Sequence, residues 1–146
     1  MTPIGVGLVG YGLAGAVLHA PVIEALDAFR IVAVATSRGE AAERRDRPQV
    51  VADIEALLAI DAVELVVVVT PNDCHAAHAA AALRRGRHVV IDKPMAPSLA
   101  DCDRLIDQAA GVGRILSVYH NRRWDGDHVA ARGLLAGGVI GTPALY

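Results

Sequence analysis

Residues 4–15 read IGVGLVGYGLAG, an apolar β-branched run that turns through Gly10, Gly12 and Gly15 into an alanine- and leucine-rich stretch. The spacing is G-x-G-x-x-G at a strand-to-helix junction. Gly10 permits the tight turn, Gly12 lets the backbone approach a pyrophosphate, and Gly15 allows close helix–strand packing. Gly12, Leu13, Ala14 and Gly15 then open a helix whose free N–H groups and dipole favour a phosphate. Glycines at such a turn can serve packing alone. Their place after an apolar strand, inside a strand–helix–strand pattern, points instead to a dinucleotide.

The rest of the chain repeats that alternation. RIVAVAT (30–36), LVVVVT (65–70), HVVID (88–92) and ILSVY (115–119) read as strands, with a weaker one at QVVAD (49–53). Helical stretches fall at 15–26, 54–58, 75–85 and 99–110. The strands are apolar throughout, as strands covered on both faces are, which predicts an α/β fold with a doubly wound parallel sheet of the Rossmann type. Gly86 follows Arg84 and Arg85 as a helix C-cap would, and Ser98 stands three residues before Asp101 as an N-cap would. SRGEAAERRDRP (37–48) reads as a solvated short helix or loop.

Composition narrows the class. The 146 residues are 53% hydrophobic but only 3% aromatic, so the core is expected from Val, Ile, Leu and Ala. A net charge of −2 supplies no basic field for nucleic acid. The longest apolar run, AVELVVVVT (62–70), is too short to span a membrane. The first residues carry no basic-then-apolar leader. Cys74 and Cys102 have no metal or redox spacing, which fits a reducing compartment. A soluble cytoplasmic protein with no nucleic-acid or membrane partner is the expectation.

Candidate site residues cluster where strands end. An NAD site commonly offers an acid about 20 residues beyond the glycines, on the ribose hydroxyls. Here Thr36, Ser37 and Arg38 stand at the end of the second strand, and a guanidinium there suits a 2′-phosphate, so NADP(H) is expected over NAD(H). Thr70, Pro71 and Asn72 close a later strand at the sheet edge where ligands of open α/β sheets bind. His75 is expected near the start of the next helix, close to the cofactor ribose or the substrate. His78 is expected as ordinary helix surface; a metal pair with His75 lacks a third ligand at zinc spacing.

VVIDKP (89–94) holds Lys93, the sole lysine beside thirteen arginines. Lysine can shift its proton affinity when partly desolvated and so take part in proton transfer, which arginine cannot. Lys93 is therefore the candidate catalytic group, with Asp92 orienting or charge-balancing it and Pro94 fixing the turn.

Four stretches in order, GLVGYGLAG (7–15), TPNDCH (70–75), DKP (92–94) and HNRRWDGD (120–127), resemble the Gfo/Idh/MocA oxidoreductases across essentially the whole chain. The resemblance implies an NAD(P)-binding Rossmann domain followed by a domain with an open, mainly antiparallel sheet. It implies oxidation or reduction of hydroxyl and carbonyl groups on sugars, cyclitols or related small molecules, and a homo-oligomeric full-length protein. The family's E-K-P lysine falls on Lys93, with Asp92 in place of the commoner glutamate. The resemblance also implies a cis Lys93–Pro94 bond aiming Lys93 at the nicotinamide, and it places Arg122, Arg123 and Trp124 near the nicotinamide end; a polar loop leading into the next helix is the alternative there. The family's remaining aspartate and histidine, which belong to the second domain, have no counterparts here. Residues 1–141 are thus expected to form the nucleotide-binding domain, and 142–146 the start of a truncated C-terminal domain. A non-catalytic nucleotide-binding module, or a reductase of the dihydrodipicolinate type, are the rival readings.

Overall fold

The apolar runs become six strands of one parallel sheet in a computed structural model that describes residues 2–44, 47–139, 141, 142 and 144. In chain order these are β1 (Ile4–Val9), β2 (Phe29–Ala35), β3 (Gln49–Val51), β4 (Leu65–Val68), β5 (His88–Asp92) and β6 (Leu116–Tyr119). Their spatial order is β3-β2-β1-β4-β5-β6, and every neighbouring pair is parallel. The order reverses between β1 and β4, which makes the carboxyl end of β1 the switch point where open α/β sheets bind ligands.

The helices are α1 (Ala20–Glu24), α2 (Ile54–Leu58), α3 (Asn72–Arg84), α4 (Leu99–Gly111) and α5 (Gly126–Ala136). Alternate strand residues feed two cores. Val66, Val68, Val89 and Ile91 pack with Leu57, Leu83 and Leu105 of α2, α3 and α4. Val6, Leu8, Ile31, Val34 and Val67 pack with Ala20 on the other side. Two buried faces explain the continuous apolar runs.

Local chemistry sets the element ends. Asp53 and Ser98 cap α2 and α4, accepting from the N–H groups of Ala56 and Asp101. Gly86 adopts φ 69° after α3, the left-handed C-cap conformation. The first helix departs from the expected regular 15–26 stretch: Ala14–His19 is wound as a π-helix, and Ala20 N–H reaches Gly15 O. Pro21, just inside α1, supplies the physical reason. It lacks an N–H, and its ring crowds the carbonyl four residues back, so the preceding turn widens.

Residues 39–43 form a 3₁₀ turn. A second 3₁₀ turn, Asn121–Trp124, leads into α5. That helix buries none of its residues, and no strong periodicity marked it in the sequence. Among the described residues, no helix is long and apolar enough to cross a membrane. Ile140, Pro143, Leu145 and Tyr146, around the expected boundary at 141–142, lie outside the described residues.

Candidate functional site

Every strand-end stretch named from the sequence lies at the carboxyl edge of the sheet, because all six strands run the same way. The glycine turn follows β1, Thr36–Arg38 follow β2, Thr70–Asn72 follow β4, Asp92–Pro94 close β5, and Asn121–Trp124 follow β6.

The three glycines have separable physical roles. Gly10 sits at φ 98°, and a Cβ there would meet Val69 O at 2.6 Å. Gly15 packs against the turn itself, since its Cβ would meet Gly10 O at 2.5 Å. At Gly12 a Cβ would meet nothing within 4 Å. Internal packing therefore does not require glycine at position 12, and a glycine at this place in a strand-to-helix turn leaves room for a pyrophosphate to approach the backbone. Leu13 is exposed and Ala14 half-buried where the helix opens.

Tyr11, between the glycines, is buried. The Arg44 guanidinium hydrogen-bonds its hydroxyl and lies 5.6 Å from its ring centroid, while Arg44 Nε donates to Glu24 Oε1 at 3.0 Å. Burial works against the Arg44 cation, but the bonds to Tyr11 and Glu24 outweigh it and hold its pKa above the ordinary value. This bracing of the glycine turn from the 37–48 stretch has no signal in the sequence, since nothing marks Arg44 among the four arginines of that stretch.

At the end of β2, Thr36 N–H donates to Val51 O at 3.0 Å, and Arg38 N–H donates to Thr36 Oγ1 at 3.1 Å. Ser37 and Arg38 are exposed. Among the described residues no ion pair occupies Arg38. A guanidinium beside a hydroxyl and a turn of backbone is a donor set that fits a phosphate monoester.

His75 stands in the first turn of α3, as expected, but its side chain is turned inward. It is 1% exposed, with Nδ1 2.7 Å from Pro94 O and Nε2 2.8 Å from Thr70 O. A carbonyl only accepts, so the neutral ring donates to one and the imidazolium to both. Either way the ring lies between carbonyls that follow β4 and β5. His78 is not ordinary surface either: it is half-buried, with Nδ1 3.1 Å from Thr70 Oγ1. Burial, then the nearby His75, pull its pKa below the ordinary histidine value. Pro71 ends the β4 loop as the residue before α3, and Asn72 is the first, exposed residue of that helix.

The Lys93–Pro94 bond is cis, and both residues are exposed. Asp92 Oδ1 accepts from the backbone N–H of Lys93 at 2.9 Å and lies 3.7 Å from His19 Nε2. Its nearest titratable partner is therefore His19, and among the described residues no ion pair joins Asp92 to the Lys93 ammonium. His19 is 3% exposed, and its ring centroid lies 4.3 Å from that of Tyr119, the residue paired with Asp92 across β5 and β6. Burial lowers the His19 pKa, with Asp92 opposing the shift. The sequence reading passed over His19 because it lies inside an apolar helical stretch.

Arg122, Arg123 and Trp124 are all exposed, Trp124 at 75%. Arg122 Nε pairs with Asp125 Oδ2 at 2.8 Å, and Arg123 lies 5.9 Å from the Trp124 ring centroid. All three follow β6, on the same sheet edge as Lys93.

Residues 4–120 match the Gfo/Idh/MocA family, an oxidoreductase family with an NAD-binding Rossmann fold. The chain belongs to this family. Its relatives include scyllo-inositol 2-dehydrogenase (NADP(+)) IolW of Bacillus subtilis, 42% identical over 94% of this chain and 38% of that protein. The uncharacterized oxidoreductase YdgJ of Escherichia coli is 43% identical over 98% of this chain and 42% of its own length. Among solved structures, a mutant of KijD10, a 3-ketoreductase from Actinomadura kijaniata in complex with TDP-benzene and NADP, superposes with a TM-score of 0.87. That structure is 30% identical, over 95% of this chain and 45% of its own. The chain spans about 40% of the length of these proteins.

Proposed function

We propose that this chain is the nucleotide-binding part of an NADP(H)-preferring oxidoreductase acting on a hydroxyl or carbonyl of a sugar, cyclitol or related small molecule. The observation that carries the reading is the bare backbone at Gly12 on the same sheet edge as exposed Lys93.

The pyrophosphate would rest on the N–H groups from Gly12 to Gly15, where the helix end is electropositive. Thr36, Ser37 and Arg38 would hold the adenosine ribose and its 2′-phosphate. Thr70, Pro71 and Asn72 would flank the cofactor on the β4 side, and Lys93 and Pro94 on the β5 side, with Arg122, Arg123 and Trp124 further along that edge. Bound NADP(H) supplies the hydride chemistry. Lys93 would donate to the substrate oxygen, polarising a carbonyl or receiving the proton of a hydroxyl through its ammonium–amine pair. Arginine in that place could hydrogen-bond but not exchange the proton. Substrate class is supported by the IolW likeness, and cofactor preference by the names of IolW and the KijD10 complex together with Arg38. A cytoplasmic location and a homo-oligomeric full-length protein complete the proposal.

Titration of the chain with NADPH and NADH tests the cofactor assignment. NADPH is expected to bind more tightly, and Arg38→Ala to weaken NADPH by about 1.5–3 kcal/mol, the worth of a hydrogen bond to a charged group, while leaving NADH nearly unchanged. Equal affinity of the unsubstituted chain for both cofactors would sink the preference.

A further inference from the structure

Apart from Tyr11, the buried polar side chains among the described residues are two histidines, His19 and His75. They come from different helical segments, His19 from the one that follows the glycine turn and His75 from the first turn of α3. They nevertheless reach the two ends of one three-residue turn, Asp92–Lys93–Pro94. His19 Nε2 lies 3.7 Å from Asp92 Oδ1, the oxygen that also accepts the Lys93 N–H. His75 Nδ1 lies 2.7 Å from Pro94 O. The lysine thus has a buried imidazole against the residue before it and another against the residue after it.

Filling space does not explain this placement. Burying an imidazole nitrogen without a hydrogen bond is unfavourable, and an apolar side chain of like volume at position 19 would avoid that cost. At 3.7 Å the His19 contact is longer than a hydrogen bond, and among the described residues its Nε2 has no hydrogen-bond partner. His75 ties Pro94 to Thr70, and so joins the β5 turn to the end of β4.

We propose that His19 and His75 are positioning residues that hold the Asp92–Lys93–Pro94 turn from its two sides and so fix where the Lys93 side chain stands over the cofactor-binding edge. The proposal rests on the reading of Lys93 as the proton-handling group. Through His19 the turn is coupled to the glycine-loop helix, and through His75 to the Thr70 loop. The lysine and the two cofactor-binding loops therefore move as one frame. Holding a reacting group in register in this way is how a scaffold supplies proximity to a reaction.

Because Lys93 is the sole lysine, reductive methylation with isotopically labelled formaldehyde marks only its side chain and the terminal amine, giving one internal NMR reporter. In the unsubstituted chain a single sharp Lys93 signal is expected, moving when NADPH is added. His19→Phe and His75→Phe keep ring volume and remove the nitrogens. Each is expected to shift and broaden the cofactor-free Lys93 signal and to abolish its NADPH response, while NADPH still binds through the glycine turn. His19→Gln and His75→Gln retain a polar contact and are expected to restore part of the signal; they also carry the test if the Phe variants do not fold. Folded variants with the unsubstituted Lys93 signal and response would overturn the proposal. If NADPH binds the unsubstituted chain and leaves Lys93 unmoved, the assignment of Lys93 to the reaction fails instead, and the cofactor-free comparison still decides the positioning role.

Discussion

At the scale of single residues, the glycine turn separates architecture from binding. Gly15 has no room for a methyl group, because the Gly10 carbonyl oxygen would be 2.5 Å away. Gly15→Ala should therefore destabilise the fold by about 1–3 kcal/mol, the usual range for overpacking a rigid site. Gly12 has nothing within 4 Å of a Cβ. Gly12→Ala should leave the denaturation midpoint within the range of an ordinary surface change, about 0.5 kcal/mol, yet weaken NADPH by roughly tenfold or more. Denaturant melts paired with cofactor titrations check both. Loss of stability at Gly12, or intact binding there, would assign that glycine to packing. The glycines, Arg38 and Lys93 were legible in the sequence because each breaks a local pattern: a spacing, a missing acid, a lone residue type. His19 and Tyr11 were not, since nothing in a helical or glycine-rich run tells which side chain turns inward. The burial of His75 was equally hidden, because it depends on the carbonyl of Pro94, nineteen positions away.

At the scale of elements, the strands and most helices followed from apolar runs and caps. A parallel strand buried on both faces writes itself as uninterrupted Val, Ile and Ala. The Ala14–His19 winding was less legible, since Pro21 sets it from the following turn. That segment docks on the sheet through His19, and this makes docking sensitive to acid. The His19 pKa is lowered chiefly by burial, and Asp92 only partly offsets it; Tyr119 is the other group against the ring. The unfolded chain takes up a proton near the ordinary value of 6.5, while the folded chain resists it. Stability is then fully present above that value and is lost as pH falls through the lower folded one. His78, also lowered by burial, adds in the same direction. Urea melts across about pH 5 to 8 should show the midpoint falling on the acid side, with a shallower fall in His19→Gln. A midpoint that rises on acidification, or a slope unchanged by the substitution, would contradict this sign.

At the scale of the whole molecule, the cofactor-binding edge and the lysine are present on one rigid sheet, but Lys93, Pro94, Arg123 and Trp124 all face outward and exposed. The helix that follows them, α5, buries nothing and exposes Val129, Leu134 and Leu135. Among the described residues there is thus a place for the dinucleotide and little that would enclose a sugar-sized substrate against it. Holding reactants in a near-attack arrangement can supply roughly 7–11 kcal/mol of a barrier, and one exposed ammonium does not provide that orientation. The 146-residue chain is therefore expected to bind NADPH without measurable turnover on a panel of inositols and sugars, and to self-associate through the apolar face of α5 as concentration rises. Cofactor titration, steady-state assays and sedimentation on the same preparation check all three. Turnover by this chain alone, abolished by Lys93→Ala, would show instead that the residues already on this edge suffice to orient a substrate.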